Sequence, residues 1–369
     1  MAVYIITAID LLLFALVSEI KAIKNNGIFK TILLGLGCFQ LFFITGFRLN
    51  TGYDYPAYAR MFINSIKKPL SELAVDVHEK GYLLLSRYIQ LFTKDFQVIF
   101  LVTAFFTFIL IGIILYKYSP NPSLGLLFFY LFAYVFAAMC FVRNMFAAVI
   151  CLFIYKYIRE KSFLRYLTIV LLASTFHFSA LFMIPFYFIL KIKFNYITLA
   201  VYTVIGGILF AFSNPIMLTI TKYIYTAYNP ENSPHMFNGI PLLYMLLILT
   251  GVFIPALLMR KEIEKESPWK TTLISASFFG LYFTIIATKH SILGRFGEYF
   301  GPIVVLLLLP EIFTLLIRKI KNKEDPAVIL KVRNYACLSM ICISVITFFT
   351  FALFSNYNGV VPHQWIWNL

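Results

Sequence analysis

Apolar residues in this chain fall into long runs, with neither the period-2 alternation of exposed strands nor the single stripe of a surface helix. The runs lie near 2–20, 31–47, 96–116, 123–142, 143–158, 166–190, 197–213, 241–259, 271–288, 298–317 and 335–354. About 20 apolar residues, at ~1.5 Å rise each, match the ~30 Å hydrocarbon core of a bilayer. A transmembrane β-barrel would read as short alternating segments instead. The pattern therefore predicts an all-α, polytopic integral membrane bundle with about 10–12 membrane segments. Residues 1–369 form one integral domain. The longest polar interval, 48–95, is too long for a bare connector. Its apolar repeats at Leu83, Leu84, Leu85, Tyr88, Ile89, Leu91 and Phe92 predict an amphipathic helix on the membrane surface.

Basic residues orient the bundle. Lys21, Lys24 and Lys30 put the first loop in the cytoplasm and the N-terminus outside, which leaves 48–95 external. The run 166–190 decides the rest. It is long enough for one tilted span, but it has a polar middle, Ser174-Thr175-Phe176-His177. A single crossing would put 11 of the 31 basic residues inside and 20 outside. A re-entrant pair that turns at His177 reverses this to 20 inside and 11 outside. The positive-inside rule favours the re-entrant reading, and the other place that could restore the parity is 123–158, where no clear turn separates two spans. Each half-span then needs burial in protein or a cavity to line.

Composition removes whole classes of function. The chain is 61% hydrophobic and 13% charged, and its mean hydropathy is +0.85. An ordinary soluble domain carries ~25% charged residues. Soluble enzymes and nucleic-acid binders are excluded. The net charge of +15 is mostly accounted for by loop orientation. Cys38, Cys140, Cys151, Cys337 and Cys342 all fall within apolar segments and have no metal-site spacing, so they read as small core residues.

Candidate chemistry gathers at the external ends of the spans. Gly46-Phe47-Arg48-Leu49-Asn50-Thr51-Gly52-Tyr53-Asp54-Tyr55-Pro56-Ala57-Tyr58 is the densest polar–aromatic cluster. Arg48 suits bidentate contact with phosphate, or else caps the membrane interface. Asp54 suits a general base, or else holds Arg48. Tyr55 and Tyr58 offer flat faces for sugars. Glu79 is a second external carboxylate. Arg143, followed by Asn144, lies among apolar residues, where an arginine needs a partner or a wet cavity. His177 sits at the predicted re-entrant tip and is either a core group or a proton acceptor. Arg295 and Glu298 mark a third span end. No phosphate-binding loop, His-Glu-x-x-His or Asp-rich metal motif occurs. The expected site therefore uses no metal and no cofactor, and arginines clamp the charge.

These residues, in this order, resemble the EpsG family of bacterial exopolysaccharide-synthesis proteins, which is related to the Wzy-type O-antigen polymerases. The resemblance runs through Phe47-Arg48, Gly52-Tyr53-Asp54-Tyr55-x-x-Tyr58, Glu79-x-Gly81-Tyr82, Arg143-Asn144-x-x-Ala147, Phe176-His177-x-Ser179-Ala180-Leu181 and Arg295-x-x-x-Tyr299-Phe300. It covers roughly 40–305. Asn144 departs from the glutamine common at that place.

The resemblance implies a GT-C-like bundle in the bacterial cytoplasmic membrane with its active site outside. Its donor and acceptor would be polyprenyl-diphosphate-linked oligosaccharides, used for capsule or exopolysaccharide synthesis. A flippase and a chain-length regulator are implied as protein partners, and no nucleic acid. On that reading Arg48, Arg143 and Arg295 bind diphosphate, with Asn144, Tyr55 and Tyr58 assisting. Asp54, Glu79 or His177 deprotonates the acceptor hydroxyl. A flippase or a membrane O-acyltransferase is the rival function. A flippase expects a polar tract reaching both faces, and an acyltransferase a His-Asp pair.

Overall fold

The computed structural model describes residues 1–24, 26–66, 80–223, 239–266, 268–322, 326–356 and 358–368. Among these the secondary structure is helical, apart from one isolated bridge between Arg48 and Trp365. Three helices are individually long and apolar enough to cross a bilayer: Gly27–Gly46, Gln97–Tyr118 and Ile329–Thr350. Four bent helix pairs bring the number of candidate spans to as many as seven. The result is the polytopic helical bundle that the apolar runs predict.

Local sequence sets where helices start and break. The side chain of Asn26 accepts from the amides of Ile28 and Phe29 and opens Gly27–Gly46. Asn121 caps Leu124 ahead of Pro122, which is a favoured first helical residue. Asn195 and Thr198 form a reciprocal capping box that starts Tyr196–Ala211. Ala133 is left-handed, with φ 65°, and bends Pro122–Leu131 by 60° from Tyr134–Cys140. At Phe141 the chain breaks again, before Val142–Cys151. This separates the runs 123–142 and 143–158, between which the sequence shows no clear turn.

Long-range contacts define two ends of the bundle. At one end Ser18 and Glu19 meet Asn121, and Tyr118 and Arg159 meet Trp269. Lys193 pairs with Glu264, and Arg260 donates to the carbonyl of Phe194. Lys270–Glu311 at 2.5 Å and Arg333–Glu262 at 2.7 Å brace the same end, together with Arg318–Glu266. The basic loops therefore converge, and some of their charges are used as cross-braces. At the other end, Tyr4 bonds the carbonyl of Val360, and the segment 47–53 meets the C-terminal tail.

The run 166–190 does not cross. His177 is extended, with φ −150° and ψ 117°, and ends the helix Phe163–Phe176. The chain then returns through the 3-10 turn Phe178–Met183 and Phe186–Ile189. The Tyr166 hydroxyl donates to the carbonyl of Met183 at 2.6 Å, and the Phe163 and Tyr187 rings are 5.0 Å apart. An uninterrupted helix would separate Phe163 from Tyr187 by ~36 Å. The segment is a hairpin with His177 at its tip, as the charge count favours.

Helices Tyr55–Ser65 and Lys80–Gln90 pack together over the start of Gln97–Tyr118, burying Tyr58, Phe62, Tyr82, Ile89 and Phe100. Gly81 lies against Thr175, so this pair also touches the hairpin next to its tip.

Candidate active site

The segment after Gly46 is shaped by one buried arginine. Arg48 is 1% exposed. Its Nε donates to the carbonyl of Thr51 at 3.1 Å and its Nη2 to that of Met139 at 3.0 Å, and Nη1 donates to Thr45. The guanidinium lies 4.7 Å from the Phe100 ring centroid and 5.7 Å from that of Tyr55. Burial lowers its pKa to about 10, which leaves it charged at neutral pH. Tyr55 stacks on Phe100 and donates to Gln97 Oε1 at 2.6 Å. Gln97 in turn donates to the carbonyls of Gly46 and Arg48. Arg48 and Tyr55 are thus engaged within the protein, and neither lines the cavity described below.

Gly52 closes the turn that this arginine holds. Its φ is +99°, and a Cβ there would lie 2.7 Å from the Met139 carbonyl oxygen. Only glycine takes that conformation so close to another backbone. Its amide donates to Gly359, and the amide of Tyr53 donates to Asn358. The C-terminal tail is in this way strapped across the turn, and Asp54 comes next in the chain.

Asp54 opens onto a cavity of about 550 Å³. Arg295, Glu298, Tyr134 and Asn358 also line it, and Val252 and Val304 belong to its apolar wall. Burial pushes the Asp54 carboxyl above the ordinary carboxylate range, and the charges of Arg295 and Arg143 pull it back. Arg143 hydrogen-bonds Tyr58 and lies 5.3 Å from its ring centroid. Both guanidiniums also act on the His177 ring. Ser179, beside the hairpin tip, bonds the Tyr299 hydroxyl at 2.8 Å. Asp54, Arg143, His177 and Arg295 are far apart in sequence, and the fold brings them to one neighbourhood. Asp54 and Arg295 line the cavity itself, with Arg143, Tyr58 and His177 beside it.

Asn144 is 3% exposed, and both of its amide atoms are buried without a hydrogen-bond partner, behind Arg143 and off the cavity wall. Glu79 lies outside the described residues. Among the described residues no cluster of three or more His, Cys, Asp or Glu could hold a metal.

The profile of the EpsG family matches residues 31–365. The chain belongs to the EpsG family. No curated protein and no solved structure matches it. EpsG membership brings a polysaccharide polymerase-type function to a multi-pass membrane protein, with lipid-linked oligosaccharides as the substrate class. The EpsG match covers every block of residues on which the resemblance rests, from Phe47 to Phe300. Two cavity residues had no assigned role in the sequence. Glu298 was visible only as a charge near a span end. Asn358 had no signal at all, because only the strapped tail brings it to the wall.

Proposed function

We propose that this EpsG-family chain is a glycosyltransferase that joins polyprenyl-diphosphate-linked oligosaccharide repeats at the external face of the bacterial cytoplasmic membrane. The observation that carries the reading is a largely apolar cavity lined by Asp54 and Arg295, with Arg143, from a distant helix, near enough to act on the same carboxyl. Paired guanidiniums suit a diphosphate leaving group, whose charge grows as the sugar–phosphate bond breaks. They supply that positive charge without a divalent cation. The apolar wall suits the first isoprene units of the lipid.

Orientation follows from the two ends. The cross-braced basic loops suit the cytoplasmic end by the positive-inside rule, which supports an external cavity mouth. A flippase reading would need polar lining that reaches both ends. The polar groups named here gather at one.

The deciding experiment gives the purified protein only lipid-linked repeats, in the presence of EDTA. The expected product is lengthened glycan, with Arg143→Ala and Arg295→Ala each leaving single repeats. Loss of elongation in EDTA that Mg²⁺ restores would refute the metal-free clamp. Absence of elongation under all conditions would refute the polymerase.

A further inference from the structure

The cavity presents two buried side-chain oxygens that no protein group among the described residues satisfies. Glu298 Oε2 and Asn358 Oδ1 are both buried and have no hydrogen-bond partner, and both residues line the cavity. Asn358 is 6% exposed, and its own backbone carbonyl accepts from the Tyr53 amide at 3.2 Å. The tail therefore fixes it next to Asp54. Glu298 directly follows the short helix Gly294–Gly297 that carries Arg295, three residues earlier. A cation and an acceptor thus enter the same cavity from one turn of chain.

Buried acceptors without donors are costly, and proteins rarely keep them without a use. A phosphate oxygen repels Glu298 in its ionised form and offers Asn358 Oδ1 no proton. The matching ligand carries O–H donors close together, as a sugar does. Asp54 is less suited to take a proton from such a ligand, because two guanidiniums already act on its carboxylate. Glu298 has no such partner on Oε2.

We propose that Glu298 and Asn358 form the acceptor-sugar subsite, with Glu298 as the catalytic base and Asn358 holding a second hydroxyl. The inference rests on the polymerase reading above. In the step, the acceptor hydroxyl oxygen forms the bond to the donor's anomeric carbon. The bond from that carbon to the diphosphate oxygen breaks, and its electron pair leaves with the diphosphate toward Arg295 and Arg143. The hydroxyl proton moves to the ionised Glu298 carboxylate. General-base assistance of this kind contributes about 10²–10⁴-fold in rate.

The test uses the full-length purified protein with lipid-linked repeats, at varied pH and acceptor concentration. Glu298→Gln is expected to lower kcat by about 10²–10⁴-fold and to remove the acid limb of the kcat–pH profile, leaving the donor KM near the parent value. Glu298→Asp keeps a carboxylate and is expected to retain that limb at a reduced rate. Formate is expected to restore part of the rate in Glu298→Ala. Asn358→Ala should raise the acceptor KM more than it lowers kcat. A folded Glu298→Gln protein that elongates within about tenfold of the parent overturns the assignment. So does a Glu298→Asp protein as inactive as Glu298→Gln with no formate rescue, since the carboxylate would then be structural. Elongation by the parent chain keeps either failure separate from failure of the polymerase reading. A parent chain that never elongates removes both.

Discussion

Replacing Arg48 by alanine is expected to cost the fold rather than the chemistry. The guanidinium serves three backbone carbonyls, those of Thr45, Thr51 and Met139. Truncation leaves them without a donor in a site that is 1% exposed. Each orphaned buried acceptor costs about 1–3 kcal/mol, so the three together cost about 3–9 kcal/mol. Loss of the cation–π contact with Phe100 adds about 0.5–2 kcal/mol. Water entering the space left by the side chain moves the total toward the lower figure. The turn at Gly52 and the bridge to Trp365 loosen together, because both adjoin the segment 45–51 that Arg48 ties to itself and to Met139. Arg48→Lys should fall between the two, since a single ammonium lacks the planar fork that reaches three separate oxygens. The assay is thermal unfolding of the detergent-solubilised protein, run beside elongation of lipid-linked repeats. Arg48→Ala should lower the unfolding temperature and the yield of monodisperse protein, with elongation lost as a consequence. An Arg48→Ala protein as stable as the parent, yet unable to elongate, would refute this reasoning and return Arg48 to the diphosphate site.

Gly52→Ala should destabilise by at least about 1–2 kcal/mol, the ordinary cost of a left-handed non-glycine residue, with more added by the Met139 carbonyl; unchanged unfolding would show that the turn relaxes freely. Asp54 has a raised folded pKa, so the fold binds its proton more tightly than the unfolded chain does. Its unfavourable contribution is absent below the unfolded value of 3.8 and grows as pH rises through the raised folded value. Asp54→Asn should flatten that part of the stability–pH profile, and an identical profile in the variant would refute the assignment. A single cysteine introduced at Lys191 should be labelled from the cytoplasm, since the hairpin returns the chain to the basic end; labelling from outside would invert the topology.

The hairpin shows how much a sequence of this kind makes legible. Charge counting favoured a turn back at His177 within 166–190, because reversing one segment reverses the address of every loop after it, and the structure shows that turn. Arg143, His177 and Arg295 stood out as candidates for a related reason. A charged or titratable group within or beside an apolar run is expensive, and few positions tolerate one without a use. Arg48 followed the same logic and came out differently. From the sequence it is an arginine at a span end, equally fit for a phosphate or for a backbone cradle. The carbonyl of Met139, which engages it, lies 91 residues away.

What the sequence by itself determined is the solvent of the protein, the rhythm of its apolar segments and the short set of polar residues worth placing. Hydropathy and charge are local properties and act through the bilayer without any partner. The tertiary structure alone decided which face of each helix meets which neighbour. The helices Gln97–Tyr118 and Thr271–Ala287 carry no apolar stripe that marks their inner face. It also decided that residues 358–366 cross the turn after Arg48, more than 300 residues earlier, and so bring Asn358 to the cavity wall beside Asp54, a placement no local pattern marks. Contacts of that range come from packing and backbone pairing in the assembled bundle, and neither is written in the local pattern.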